Sequence, residues 1–285
     1  MRERRLRLQL TPVMDSVSRA ILSIAGSDPS GGAGIQADLK TFTSLGVYGG
    51  AAISCLTVQN SMGVYRIQPV AVELVKEQIK QVLADLPVSH IKTGMLGTPA
   101  VAEAVAQCLT DFDGTVVCDP VLKASDGRDL LSMDGQDALT NRIFANSTAL
   151  TPNFGEFQTL TGLDSDDDKD IAAACAGMFS RYNRLEAIIV KGGHRRENLA
   201  VVTDLLFLRE SREIRTVKME RERIETRNSH GTGCTFASAL AAYHMKTGDW
   251  QQAFTLAGDY VGKLLKLSVG RRMGHGIGPL WHHLL

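Results

Sequence analysis

Short apolar runs, each closed by a polar motif, set the strongest limit on what this chain can fold into. Residues 20–25 (AILSIA) end at Gly26-Ser27-Asp28. Later runs end at Thr93-Gly94-Met95, Asp119-Pro120, Thr151-Pro152-Asn153 and Lys191-Gly192-Gly193. Runs this short read as buried strands. Segments with helical spacing separate them. Ile35, Leu39, Phe42 and Leu45 recur at intervals of four, three and three, and Gly46 stops that helix. Val75, Ile79, Val82 and Leu83 mark the next one. Further helices are predicted at 99–109, 135–144, 169–182, 232–246 and 250–268, and further strands at 51–58, 90–93, 115–119, 149–151 and 187–191. Residues 199–208 and 213–218 read as an antiparallel pair. Alternation of this kind implies an α/β fold, a mostly parallel sheet covered on both faces. Ligands of such sheets bind beyond the carboxyl ends of the strands, where all of these motifs fall.

Composition narrows the class. Lys+Arg and Asp+Glu both number 31, so no global basic field marks a binder of nucleic acid or membrane surfaces. The cysteines at 55, 108, 118, 175 and 234 are odd in number and include no C-x-x-C pair. That speaks against a disulfide framework and a structural zinc site, and fits a reducing, cytoplasmic setting. No apolar run reaches the ~18–20 residues of a membrane span. Residues 1–19 are basic without a signal-peptide core and read as a flexible arm ahead of one domain at 20–285. The acidic stretch 164–170 reads as a solvated loop entering a helix N-terminus, where negative charge is favoured.

The chemistry-bearing residues begin with His230-Gly231-Thr232-Gly233-Cys234 at the start of the 232–246 helix. Glycines let a ligand approach the backbone, and free N–H groups with the positive helix end make an anion site. Such a site suits phosphoryl transfer, where charge spreads over the moving oxygens; read alone, the segment could equally be a capping turn. Neither G-x-x-x-x-G-K-[ST] nor a complete G-x-G-x-x-G is present. Asp119 and Glu156 lie just past strand ends, as carboxylates serving Mg²⁺ would, although Asn153-Phe154-Gly155-Glu156 also resembles a helix cap. The loop 27–34 is glycine-rich and could cradle phosphate or act as a lid, with Asp38 one turn into the helix beyond it. Gln59 and Asn60 could read the donor and acceptor edges of a heterocycle.

Taken together and in order, AGSDPSGGAGIQADLKTF (25–42), VQN (58–60), IKTGML (91–96), CDPV (118–121), LTPNFGE (150–156), VKGGH (190–194), HGTGC (230–234) and GHGIGP (274–279) carry a resemblance. The chain resembles the hydroxymethylpyrimidine/phosphomethylpyrimidine kinases of thiamine biosynthesis, over about residues 20–281. The resemblance implies a ribokinase-like three-layer α/β/α sandwich and a homodimer that uses ATP and Mg²⁺. It implies phosphorylation of 4-amino-5-hydroxymethyl-2-methylpyrimidine and then of its monophosphate. By that likeness Gln59, Gly26, Asp38, Val58, Met95 and Val121 bind the pyrimidine, and Asn153, Lys191 and Gly193 the nucleotide. Asp119 and Glu156 serve the metal, and Gly231, Thr232, Gly233 and Cys234 face the transferred phosphoryl. Lys123 and Asp126 depart from the pattern, being charged where relatives are usually apolar or small.

Most ribokinase-like enzymes carry an aspartate base where this chain has Cys234. A free thiol titrates near ~8.5, lower at helix N-termini, so Cys234 could serve as a weak base toward an alcohol. A phosphate monoester, with a second pKa near ~6, is already a nucleophile at neutral pH. A neutral Cys234 would therefore let one site take both acceptors. Two other functions fit parts of the pattern: a vitamin B6 kinase, though pyridoxal-specific relatives often lack the glutamine matching Gln59, and a non-catalytic pyrimidine-binding protein.

Overall fold

The computed structural model describes residues 18–122, 139–193, 200–211 and 213–285. Residues 1–17 of the arm, Lys123, Asp126 and residues 135–138 of the helix expected at 135–144 lie outside them. Its order is β1 (Ala20–Ser27), α1 (Gly34–Ser44), β2 (Tyr48–Asn60), β3 (Gly63–Pro69), α2 (Val72–Asp85), β4 (Val88–Thr93), α3 (Pro99–Thr110) and β5 (Thr115–Cys118). Then come β6 (Ala149–Leu150), α4 (Phe154–Thr161), α5 (Asp168–Arg181), β7 (Ala187–Val190), β8 (Val201–Arg209), β9 (Ile214–Glu222), α6 (Thr232–Thr247) and α7 (Trp250–Ser268).

All of these strands join one sheet in the order β3-β2-β1-β4-β5-β6-β7-β8-β9. The run from β2 to β7 is parallel, while β3, β8 and β9 pair antiparallel at the two edges. Strand side chains alternate between faces, so β1 sends Leu22 and Ile24 to one apolar layer and Ile21 to the other. The first layer packs Val75 and Ile79 of α2, Val105 of α3 and Ile171 of α5 against the sheet. The second packs Phe42 of α1, Phe236 and Leu240 of α6, and Phe254 and Leu264 of α7. Those two layers make the α/β/α sandwich.

Local rules explain the element ends. Thr98 accepts from the Val101 N–H at the start of α3, with proline at the first helical position. Asn153 and Glu156 form a reciprocal capping box on α4, which stops at Gly162 in the left-handed conformation. Asp167 caps α5, so the acidic stretch does run into a helix start. Strand β3 and helix α4 were not among the expected elements, and the described part of 135–144 is a π-type turn at Leu139–Ile143. The cysteines are all free. No helix among the described residues is long and apolar enough to cross a membrane.

Candidate active site

A cleft of about 2020 Å³ lies beyond the carboxyl ends of the parallel strands. Gly26, Gln59, Met95, Val121, Asp119, Asn153, Glu156, Lys191 and Gly193 all line it, as do Gly231, Thr232, Gly233 and Cys234. Residues more than 200 positions apart in sequence thus share one cavity, because parallel strands end on the same side of the sheet. Two residues assigned to the pocket by resemblance stand elsewhere. The Val58 side chain is 57% exposed and is not in the cleft lining: with Gln59 turned inward on β2, its neighbour must face outward. Asp38 is fully buried, away from the cleft surface, where its carboxylate meets the Lys92 ammonium at 3.0 Å and accepts from Ser23 and Ser238. It is neither a surface residue nor a wall of the pocket.

The start of α6 is built for an anion. Gly231 is the N-cap with φ +80°, and a Cβ there would lie 1.8 Å from the Gly32 carbonyl oxygen. Only glycine fits that close, left-handed turn. The cap brings no side-chain acceptor. Thr232 N–H goes to Ser229 O, and helical geometry leaves the N–H groups of Gly233 and Cys234 without intrahelical partners. A Cβ on Gly233 would lie 3.3 Å from Lys191 Nζ and 3.8 Å from Asp119 Oδ2. The helix start therefore sits directly over an ion pair, and glycine keeps the path between them open.

That pair is close: Lys191 Nζ donates to Asp119 Oδ1 at 2.9 Å, and Thr151 Oγ1 donates to the same oxygen at 3.0 Å. Burial alone would push the Asp119 carboxyl up, but Lys191, Lys92 and these donors outweigh it and hold it low. Burial would likewise push the Lys191 ammonium down, yet Asp119 and Glu156 hold it up, so it stays charged. Glu156 differs: burial, with Asp119 adding to it against the pull of Lys191, raises it to about 7. Its Oε2 accepts the Asn153 N–H at 2.7 Å, so the carboxylate is a helix cap and a wall of the cleft at once.

Cys234 has the neutral thiol on which the reading of two acceptors rests, and only the expected effect of the helix start is missing. The helix start does not lower its pKa. Burial pushes the thiol up to about 11, although Lys92 pulls it down. At neutral pH the side chain is a neutral thiol.

Asp119 and Glu156 are hard oxygen donors. No group of three or more His, Cys, Asp or Glu side chains able to hold a metal occurs among the described residues. That donor set fits Mg²⁺, which keeps several waters and takes its other ligands from phosphate oxygens.

Several residues gained their place only in three dimensions. Asp28, 3% exposed, accepts from the N–H groups of Ser30, Gly32 and Ala33, from Ser30 Oγ, and from His230 Nε2 at 2.8 Å. Burial opposes its ionisation, but the donors win and hold it at about 2. The glycine-rich loop is thereby pinned to the anion-binding box. Lys92, inside the IKTGML motif, is fully buried, and a Cβ on Gly94 would lie 3.0 Å from its Nζ. A charged residue in an apolar strand was the available signal. Residues 221–229 and Lys263, Lys266 and Arg271 also line the cleft and carried no motif.

A cleft at the strand ends of this sandwich, with a glycine-started anion hole above a Lys–Asp pair, defines a small-molecule kinase of the ribokinase-like fold. The sequence matches the family described as phosphomethylpyrimidine kinase over residues 28–281, and the chain belongs to that family. It is 39% identical over 259 residues to a hydroxymethylpyrimidine/phosphomethylpyrimidine kinase of Bacillus subtilis (strain 168), covering 90% of this chain and 92% of the relative. It is 38% identical over 268 residues to the thiamine biosynthesis bifunctional protein ThiED of Geobacter sulfurreducens, covering 93% of this chain and 52% of that protein. Among solved structures, the pyridoxal kinase from Staphylococcus aureus in complex with ADP superposes with a TM-score of 0.81 at 28% identity, covering 93% of each chain.

Proposed function

We propose that this kinase transfers the γ-phosphoryl group of ATP to 4-amino-5-hydroxymethyl-2-methylpyrimidine and then to its monophosphate, a step of thiamine biosynthesis. The observation that carries the reading is the shared cleft: the anion hole of Gly233 and Cys234, the Asp119–Lys191 pair and the amide of Gln59 line one cavity. In it the N–H groups of Gly233 and Cys234 receive charge that builds on the transferred phosphoryl oxygens. Lys191, Asn153 and Gly193 hold the nucleotide, and the Lys191 charge offsets that of its phosphates. Asp119 and Glu156 would hold Mg²⁺, which when bound neutralises phosphate charge and orients the nucleotide. Gly26, Met95 and Val121 enclose the pyrimidine ring.

The neutral Cys234 thiol suits both acceptors. In a loose transition state the attacking alcohol keeps its proton until late, so no strong base is required. The monophosphate arrives as a dianion and needs none, and a neutral side chain does not repel it.

ADP release measured separately with the pyrimidine alcohol and its monophosphate tests the reading. Turnover of both is expected; silence with both would leave a binding protein on a kinase scaffold. The likeness to a pyridoxal kinase structure favours one second reading, phosphorylation of pyridoxine, which a comparison of kcat/KM on the two alcohols decides. We propose further that residues 20–285 act as one cytoplasmic kinase unit and that the chain is a homodimer. Tyr48, Leu56 and Val58 of β2, with Met62 and Tyr65, expose apolar surface at the sheet edge. Sedimentation is expected to give twice the chain mass.

A further inference from the structure

We infer that Ser61 and the glycine strap at 274–278 hold the β2–β3 hairpin over the cleft and so position Gln59 against the acceptor ring. The inference deepens the acceptor reading proposed above and rests on it. Strand β2 pairs with β1 only as far as Leu56, beside Ser27. Beyond that point residues 57–67 project past β1, and their strand pairing is within the hairpin, from Thr57 with Ile67 to Asn60 with Gly63. A two-stranded ribbon is marginal in water without further packing. Gln59, which lines the cleft with its amide 3.2 Å from His230 Nε2, stands on this overhang.

At the base of the overhang Thr57 Oγ1 donates to the Ser27 carbonyl oxygen at 3.0 Å. At its tip the strap takes hold. Ser61 Oγ accepts the N–H groups of His275 and Gly276, both at 3.1 Å, and the Ser61 carbonyl oxygen accepts that of Ile277 at 2.9 Å. Successive backbone donors thus converge on one turn residue. Glycine makes the approach possible: a Cβ on Gly274 would lie 2.3 Å from Ser61 Oγ, and one on Gly276 would lie 1.9 Å from the Ser61 carbonyl oxygen.

The far end of the strap is fixed to the phosphoryl side. Gly278 O accepts the His230 N–H at 3.0 Å, and Gly278 N–H donates to Arg227 O at 3.0 Å. A Cβ on Gly278 would fall 1.8 Å from Asn228 Oδ1. Asn228 Nδ2 in turn donates to the carbonyls of Ser268 and Arg271, at and just past the end of α7. The strap therefore runs from the hairpin that carries Gln59 to the residue directly before Gly231. Its span sets the gap between ring recognition and the anion hole. This gives the GHGIGP motif its role, with glycine at the positions where the strap touches Ser61 and Asn228. Ser61 is a positioning residue, acting through Gln59.

The test is Ser61→Ala, which keeps the turn but removes the oxygen that the two N–H groups share. Hydrogen exchange should quicken about fivefold or more at the amides of 57–67 and stay unchanged in α6 and α7. An undocked hairpin does not present Gln59, so acceptor affinity falls with the docked fraction. KM for the pyrimidine alcohol should rise about threefold to tenfold, while KM for ATP stays within about twofold. Gly276→Ala repeats the test from the strap side. Gly276 has no positive φ, so alanine there is opposed by the Ser61 carbonyl and not by its own backbone. It should move both readouts in the same direction. Unaltered hairpin exchange, an equal rise in the two KM values, or faster exchange with an unchanged acceptor KM would overturn the inference. A wild-type chain that releases no ADP with the pyrimidine alcohol would remove the acceptor reading and the role of Gln59 with it. An active wild type whose hairpin exchange ignores Ser61→Ala removes the inference alone.

Discussion

Replacing Asp38 by asparagine would strand a buried ammonium beneath the active site. Both members of the Asp38–Lys92 pair are fully buried. Lys92 Nζ donates to Oδ1 and Oδ2, each at 3.0 Å, while Ser23 Oγ donates to Oδ2 at 2.6 Å and Ser238 Oγ to Oδ1 at 2.7 Å. Burial alone would push the Lys92 ammonium down, but Asp38 outweighs it and holds it up, so the lysine is charged. Asparagine preserves the shape and part of the hydrogen bonding but not the charge. Removing one partner of a buried pair costs about 3–5 kcal/mol. At roughly 2–4 °C per kcal/mol for a chain of this size, Tm should fall by about 6–20 °C. The assay is urea unfolding of the wild type, Asp38→Asn, Lys92→Met and the double variant. Each single change should cost several kcal/mol, and the double should cost clearly less than the sum, with a coupling of about 2 kcal/mol or more. An Asp38→Asn cost under about 1 kcal/mol, or strict additivity, would refute the reasoning. The four residues sit on β1, α1, β4 and α6, so the pair joins the sheet to the two helices that carry the glycine-rich loop and the anion hole.

Cys234→Asp places a carboxylate where the second acceptor brings its phosphate. Repulsion of about 4 kcal/mol, for unit charges ~4 Å apart at an effective dielectric of ~20, should cut kcat/KM on the monophosphate roughly a thousandfold while sparing the alcohol. Retained activity on the monophosphate would show that charge is not the selective factor. Acid should destabilise the fold early. Burial, helped by His244 and Arg19, holds His90 down at about 3, and burial with Lys40 holds His282 at about 4. Both stay neutral in the folded chain but protonate near ~6.5 when unfolded, so their stabilisation is complete above that pH and is lost as pH falls toward 3. Each should contribute about 2 kcal/mol to the loss between pH 7 and pH 5, and His90→Gln should remove its share of the slope in urea midpoints. Asp28, held at about 2, adds a further loss only below its unfolded value near 3.8.

Local spacing was enough to place the parallel strands, α1 to α3 and α5 to α7, because helical and strand periods are written in neighbouring residues. Helix α7 is found at Trp250–Ser268, where the apolar spacing put it. The strand-end motifs announced the cleft for the same reason: once the sheet is parallel, those ends must meet. Even the outward turn of Val58 was implicit in the two-residue period of β2. The edge strand β3 was not visible, since Gly63–Pro69 has a weak apolar pattern and gains its pairing only from β2. Nor could sequence join Asp38 to Lys92 across 54 positions or Asp28 to His230 across 202. The ionisation of Cys234 turned on the same kind of fact. Its place at a helix start is local and argues for a lowered pKa. The burial that raises it to about 11 comes from groups brought together only by the packed layers. The sequence by itself determined the class of fold, the side of the sheet where chemistry happens and the glycines that open the anion hole. Only the tertiary structure decided which charges and donors surround the groups there, and so how Asp119, Glu156 and Lys191 ionise. Charge and hydrogen-bond polarity depend on neighbours through space, and the chain has none of those neighbours until it folds.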